Sequence, residues 1–173
     1  MPTDFLQRYI RDIPDYPKPG ILFRDITPLL ADSEAFDSSI RLLADPFRGR
    51  GIQKVAAVEA RGFIFGGALA RELGAGFVPI RKKGKLPWHT LAESYALEYG
   101  TDTLEIHTDA CTPGESLLIV DDLLATGGTV AAVRRLVERQ GAVISGMAFL
   151  VELDFLHGRD LFPDLAIHTL IHY

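Results

Sequence analysis

The sequence holds one cysteine, Cys111, among 173 residues, so no intrachain disulfide can form and no cysteine cluster can hold zinc. It contains no HExxH pair, no GxxxxGK[ST] loop, and no GxGxxG between a strand and a helix, which sets aside the commonest zinc-hydrolase, P-loop and dinucleotide-binding sites. Long apolar runs are missing as well. Leu117-Leu118-Ile119-Val120 is typical of those present and far short of the ~18 residues that suggest a membrane span. Positive charge is scarce: 18 Lys and Arg stand against 23 Asp and Glu, for a net charge of −5. A chain so balanced lacks the broad basic face that non-specific nucleic-acid binding needs. The first residues, Met1-Pro2-Thr3-Asp4-Phe5, show neither a charged leader nor an apolar core, so no secretory signal is expected. With the lone cysteine, these absences point to a cytoplasmic protein with no membrane and no nucleic-acid partner.

What is present is ordinary globular composition, 47% hydrophobic and 24% charged, without repeats or linkers, so residues 1–173 are expected to form one domain. Residues 4–13 place Phe5, Leu6, Tyr9 and Ile10 at helical spacing, and Pro14, Pro17 and Pro19 stop them. A second helix should start at Asp32 or Ser33 and bury Phe36, Ile40 and Leu43. From Gln53 onward the pattern alternates. A strand over 55–58, a polar break over 59–62, a helix over 63–73 and a strand over 77–80 come first. A strand over 116–120, a loop over 121–129, a helix over 130–140 and a strand over 147–150 follow. Strands that are apolar on both faces and alternate with helices predict an α/β fold, a parallel sheet flanked by helices. Residues 81–106 fit neither period and read as a long excursion, and such segments are usually functional.

The most informative string is Ile119-Val120-Asp121-Asp122-Leu123-Leu124-Ala125-Thr126-Gly127-Gly128-Thr129, which leads directly into a helix. In open α/β sheets, ligands sit beyond the carboxyl ends of the strands. Two glycines let the backbone wrap an anion, two threonine hydroxyls can donate to it, and a helix N-terminus adds partial positive charge. Ala125, Thr126, Gly127, Gly128 and Thr129 therefore read as a phosphate cradle. Two carboxylates beside a phosphate site would repel it, but they suit the neutral vicinal hydroxyls of a ribose. Asp121 and Asp122 with the cradle thus read as a site for a ribose 5-phosphate.

This string resembles the signature of the type I phosphoribosyltransferases, enzymes that use 5-phosphoribosyl-1-pyrophosphate (PRPP). Four more segments are similar to the members of that family that act on adenine. They are Phe23-Arg24-Asp25-Ile26-Thr27-Pro28-Leu29, Glu59-Ala60-Arg61-Gly62-Phe63-Ile64-Phe65-Gly66, Ile80-Arg81-Lys82-Lys83-Gly84-Lys85-Leu86-Pro87 and Ser94-Tyr95-Ala96-Leu97-Glu98-Tyr99-Gly100. The resemblance runs from about residue 13 to 152. It implies an N-terminal hood (about 1–30) over the base, a mobile flap (about 81–106), and transfer of the 5-phosphoribosyl group from PRPP to adenine. Other bases, or a PRPP-sensing regulator on the same fold, are the rival readings. The acidic charge and the presence of Glu98 count against the regulator.

The resemblance also assigns residues. Arg61, in the break after the 55–58 strand, would meet the pyrophosphate, in a loop whose Glu59–Ala60 bond is often cis in relatives. Arg81, Lys82 and Lys85 belong to a run with four basic residues in five positions. Such a run is usually a solvated face, but in an acidic protein beside a strand end it suits a leaving pyrophosphate, whose growing charge fixed cations stabilise. In similar enzymes part of this run reaches the neighbouring subunit's site, which implies a homodimer. Glu98 would be the proton partner of the purine, Tyr99 would pack on the closed flap, and Leu22, Phe23 and Arg24 would hold adenine. No protein-bound metal is expected; Mg²⁺ would arrive with PRPP, since it often bridges phosphates and keeps waters.

Overall fold

The structure is a computed structural model that describes residues 2–97 and 100–173. Its centre is a seven-stranded sheet in the order β5-β6-β4-β3-β7-β8-β9. Five strands are parallel: β3 (Lys54–Val58), β4 (Gly76–Lys82), β7 (Ser116–Leu124), β8 (Val143–Glu152) and β9 (Ile167–His172). At one edge β5 (Thr90–Ala96) and β6 (Thr101–His107) join as an antiparallel hairpin. The sheet is therefore mixed, where the sequence pattern predicts parallel strands only. The irregular excursion expected over 81–106 is largely this hairpin. Its alternation is masked because Glu93 occupies an inward position between Leu91 and Tyr95, where Arg135 pairs with it at 2.7 Å.

Period-two alternation divides the core between two faces. Val55 and Ala57 of β3 pack into one cluster with Ile40 and Leu43 of α3 (Ser33–Ala44) and with Phe65 and Leu69 of α4 (Arg61–Leu73). Ala56 and Val58 face the other cluster, which holds Val130, Val133, Leu136 and Val137 of α5 (Gly128–Arg139). Asp32 caps α3 as expected, its carboxylate accepting from the Glu34 and Ala35 amides.

The N-terminal segment departs from its helical spacing. α1 spans only Pro2–Gln7, and β1 (Arg11–Pro14) pairs antiparallel with β2 (Leu22–Asp25) as a separate two-stranded sheet. Proline at 14, 17 and 19 leaves room for a short edge strand and a turn but not for a helix. The Tyr16–Pro17 bond in that turn is cis. The short helix α2 (Thr27–Ala31) then leads into α3.

Candidate active site

β4 and β7 flank β3 on opposite sides, so the chain direction diverges around β3 and opens a crevice at the strands' carboxyl ends. Two helix N-termini open there. α4 begins directly at Arg61 with Ala60 as its cap, and α5 begins at Gly128 with Gly127 as its cap; neither cap carries a side-chain hydrogen bond. The first amides of both helices are thus available to an anion. Arg61 and Gly62, expected in a loop, are the first helical residues; the Glu59–Ala60 peptide before them is cis. Gly127 takes φ 84°, a left-handed conformation that favours glycine, and it turns the chain from β7 into α5.

Both carboxylates lie within β7, which runs to Leu124, and not in the expected loop. Asp122 is buried, and its Oδ2 receives Arg61 Nε at 2.8 Å. Asp121 keeps some exposed surface, yet its carboxyl group is enclosed against the start of α4. An ideal Cβ at Gly62 would come within 2.6 Å of Asp121 Oδ1, so only glycine leaves room for it. Burial above all, and then the Asp122 charge, push the Asp121 carboxyl well above the usual carboxylate range. The Asp122 amide donates to Asp121 Oδ1 at 2.9 Å and partly offsets this.

Three cavities share this centre. The first, about 150 Å³, is lined by Leu22, Phe23 and Arg24 from β2 together with Leu123, Val151 and Leu153. Its walls are mostly apolar, and Arg24 has its guanidinium engaged elsewhere, by Asp12 and by the Tyr173 ring 3.6 Å away. The second, about 200 Å³, is lined by Ala125, Thr126, Gly127, Gly128 and Thr129 with Asp121 and Asp122. The third, about 290 Å³, is lined by Glu59, Ala60, Gly62, Lys82, Tyr95 and Thr129 among others. Arg61 and Asp122 line all three, so the cavities branch from one point.

The basic run divides in space. Lys82 faces the third cavity and pairs with Asp102. Arg81 lies on Glu59, with Nη2 donating to Oε2 at 3.3 Å, and reaches the Lys85 carbonyl through Nη1. Burial pushes Glu59 up, but the Lys82 amide at 2.7 Å and the Arg81 guanidinium outweigh it and hold the carboxyl below its ordinary range. Arg81 Nε is buried 3.3 Å from Glu59 Oε1, an ion pair without a hydrogen bond among the described residues. Lys85 is exposed on the turn beyond β4 and lines none of the three cavities. Glu98 and Tyr99 lie outside the described residues.

Val151 and Leu153 join the site from outside every string marked in the sequence, while Leu123 and Tyr95 stand inside marked strings that give them no role of their own. Glu59 and Gly62 belong to the segment that the resemblance places on the pyrophosphate, and both line the third cavity. The three aliphatic residues carry no local signal, since strand-end leucine and valine look like core.

The family model of the phosphoribosyl transferase domain matches residues 27–161. The chain is 54% identical over 168 residues to the adenine phosphoribosyltransferase of Nitrosococcus oceani, covering 97% of this chain and 98% of that one. It is 56% identical over 168 residues to the protein of that name from Acidobacterium capsulatum, covering 97% and 93%. Among solved structures, adenine phosphoribosyltransferase from Rhodothermus marinus superposes with a TM-score of 0.94 at 53% identity, covering 99% and 98%. The Saccharomyces cerevisiae enzyme, complexed with D-2,5-dideoxy-2,5-imino-altritol 1,6-bisphosphate and adenine, gives 0.92 at 39% identity over 98% of each chain.

Proposed function

The chain belongs to the phosphoribosyl transferase family, among its adenine phosphoribosyltransferases, and from that premise we propose how its residues share the reaction. The protein transfers the 5-phosphoribosyl group of PRPP to adenine, giving AMP and pyrophosphate, a purine salvage step. The observation that carries the assignment of residues is the branching of three cavities at Arg61 and Asp122. The reacting pair branches in the same way: the 5-phosphate extends from C5 of the ribose, while the incoming base and the leaving pyrophosphate meet at its C1.

Adenine occupies the apolar cavity between β2 and the ends of β7 and β8. Its flat ring suits Leu22, Phe23 and Leu153, and backbone groups at Leu22, Phe23 and Arg24 read its edge. The 5-phosphate sits on Ala125, Thr126, Gly127, Gly128 and Thr129, against the uncapped amides of α5. Pyrophosphate lies in the third cavity, on the α4 N-terminus, Arg61 and Lys82. Arg81 orients the Glu59 loop and adds charge behind it, while Lys85 stands further out and steers the anion. Magnesium enters as part of the substrate, bound to the diphosphate. Glu152, Asp154 and His172 form a possible ligand group among the described residues, but Arg159 already occupies the Glu152 carboxylate, which leaves little room for a resident cation.

The bond from ribose C1 to pyrophosphate breaks as the bond to purine N9 forms, and positive charge grows on the sugar. Asp121 and Asp122 accept from its 2- and 3-hydroxyls, and the charge of Asp122 offsets that of the sugar, so this carboxylate acts most strongly in the transition state. The N9 proton passes to Glu98, with Tyr99 packed over the closed site. We place the protein in the cytoplasm, on its lone cysteine and acidic composition. We also propose a homodimer, in which part of the basic run at residues 81–85 serves the neighbouring subunit's site.

The test is a spectrophotometric assay of the bare protein with PRPP and Mg²⁺ against adenine, hypoxanthine and guanine. Adenine presents an N6 donor and an N1 acceptor, and the oxopurines reverse both polarities. Leaving buried polar groups unpaired discriminates by about 10⁴–10⁵-fold. Oxopurine turnover within tenfold of adenine would remove the proposed reading of the base by backbone groups.

A further inference from the structure

The outer side of the turn at Gly127 is covered by a segment some thirty residues further on. After β8 the chain is tied to the end of β7, the Leu153 amide donating to the Leu124 carbonyl at 3.0 Å. It then makes two short 3-10 turns, Asp154–Leu156 and Gly158–Leu161. His157 between them takes φ 55°. The second turn lies against the cradle so closely that a Cβ on Gly127 would stand 2.9 Å from the Gly158 carbonyl oxygen and 3.0 Å from Leu161 Cδ1. The contact is just as tight from the other side. A Cβ on Gly158 would overlap the Ala125 carbonyl oxygen and come within 3.1 Å of the Gly127 amide nitrogen. Gly158 has no left-handed φ to explain its identity. It is glycine because the cradle's backbone passes where a side chain would be.

The segment is fixed from behind. Arg159 donates through Nε to Glu152 Oε1 at 2.9 Å and through Nη2 to Oε2, and its Nη1 reaches the Ile167 carbonyl at 3.2 Å. Thr169 Oγ1 donates to the same Glu152 carboxylate at 2.8 Å. Glu152 is buried at the last position of β8. A two-pronged guanidinium–carboxylate pair fixes direction as well as distance, so the turn carrying Gly158 is anchored to two adjacent strands of the sheet.

We propose that Gly158, anchored by the Arg159–Glu152 pair, is a positioning residue for PRPP: it sets the Ala125 and Gly127 backbone so that the cradle amides converge on the 5-phosphate. This inference rests on the reading of residues 125–129 as the 5-phosphate site. It assigns the 153–162 segment a part in substrate binding although no residue of its second turn lines the phosphate cavity.

The experiment measures two partial ligands separately by calorimetry on the full chain, ribose 5-phosphate for the cradle and pyrophosphate for the far end of the site. Gly158→Ala forces the cradle backbone to move, and a displacement of this size at a distance from the chemistry can cost about 10²-fold. The dissociation constant for ribose 5-phosphate and the KM for PRPP should rise at least about tenfold. Pyrophosphate affinity and the KM for adenine should stay within about twofold, and kcat should change less than the KM for PRPP. Arg159→Gln should act in the same direction, and Arg159→Lys should recover part of the loss, because the charge remains and the fork is gone. A folded Gly158→Ala protein that binds ribose 5-phosphate within threefold of wild type overturns the proposal. So does an equal loss for both ligands, the mark of a merely structural role. If Gly158→Ala fails to fold, the Arg159→Gln and Arg159→Lys pair decides by the same ratio. Thr129→Ala serves as the control on the cradle itself. Loss of ribose 5-phosphate binding there with an unchanged Gly158→Ala sinks only the positioning role, whereas unchanged binding in Thr129→Ala removes the cradle reading.

Discussion

Gly62→Ala is the sharpest probe of the ribose carboxylates, because it adds one methyl group and changes no charge. In the structure that methyl would stand 2.6 Å from Asp121 Oδ1 and 3.4 Å from its Cγ. Ordinary contact begins near 3.4 Å, so the carboxylate or the start of α4 has to give by about 0.8 Å. The fold should tolerate this. Overpacking costs about 1–3 kcal/mol, while Gly→Ala at a helical position returns about 0.4–1 kcal/mol by restricting the unfolded chain. A net loss of at most about 2.5 kcal/mol lowers the melting temperature by no more than about 10 °C in a chain of this length. Activity should suffer more, since a misplacement of about 1 Å can cost 10²-fold. We expect kcat/KM for PRPP to fall between about 10- and 100-fold, with KM for adenine nearly constant. Steady-state kinetics with calorimetric melting measure both. Wild-type kcat/KM in a folded Gly62→Ala protein would refute the placement of Asp121 on the ribose.

Two further predictions concern the carboxylates directly. Asp122→Asn keeps a hydrogen-bond acceptor but loses the charge that faces the cationic sugar, so kcat/KM should drop about 10²-fold or more while AMP affinity changes less; equal losses would mean that the charge serves ground-state binding only. Asp121, with its folded pKa raised, holds its proton in the native state at pH values where the unfolded chain has released it. Its ionisation therefore costs stability as pH rises from the usual carboxylate range through the raised value. Asp121→Asn should be little changed in melting temperature near pH 4 and more stable than wild type near pH 8, though nearly inactive; a stability difference independent of pH would contradict the enclosed, charge-crowded carboxyl.

The strand–loop–helix junction over 121–129 is legible in the sequence because its pattern is local. Anion binding at a strand–helix junction demands glycines, hydroxyls and a helix start in consecutive positions, and 125–129 supplies them. What was not legible depends on contacts between distant segments. Leu153 becomes a wall of the first cavity because β8 ends beside β2, and Gly158 stands against the backbone of Ala125 and Gly127. Glu93 broke the apparent alternation of β5, although Arg135 on α5 satisfies it. Tyr9 and Ile10 fit a helix by spacing, yet they pack against the core from a turn and the residue that follows it, since packing overrides spacing in a segment so short. The ion pair of Arg61 with Asp122 is not legible either, because no spacing rule joins residues on a helix and a strand that are apart in sequence.

The β1–β2 pair forms a sheet of its own, sharing no ladder with the seven strands that carry the sugar-phosphate machinery. The ribbon proposed to meet the base is thus hydrogen-bonded apart from the strands proposed to hold PRPP, although Ile26 behind it packs with Val55 and Val120 and the Phe23 ring faces the Arg61 guanidinium. Changes at the solvent-facing side chains of Ile21 and Leu22 can reshape the cover without breaking the ladder that joins β3 and β7. Natural variation has an inexpensive route here: the scaffold for the shared donor stays fixed while the acceptor is exchanged by redrawing one small ribbon. Engineering a transferase for a different nitrogen heterocycle should accordingly begin at that ribbon and at Leu153 opposite it, leaving the acidic pair untouched.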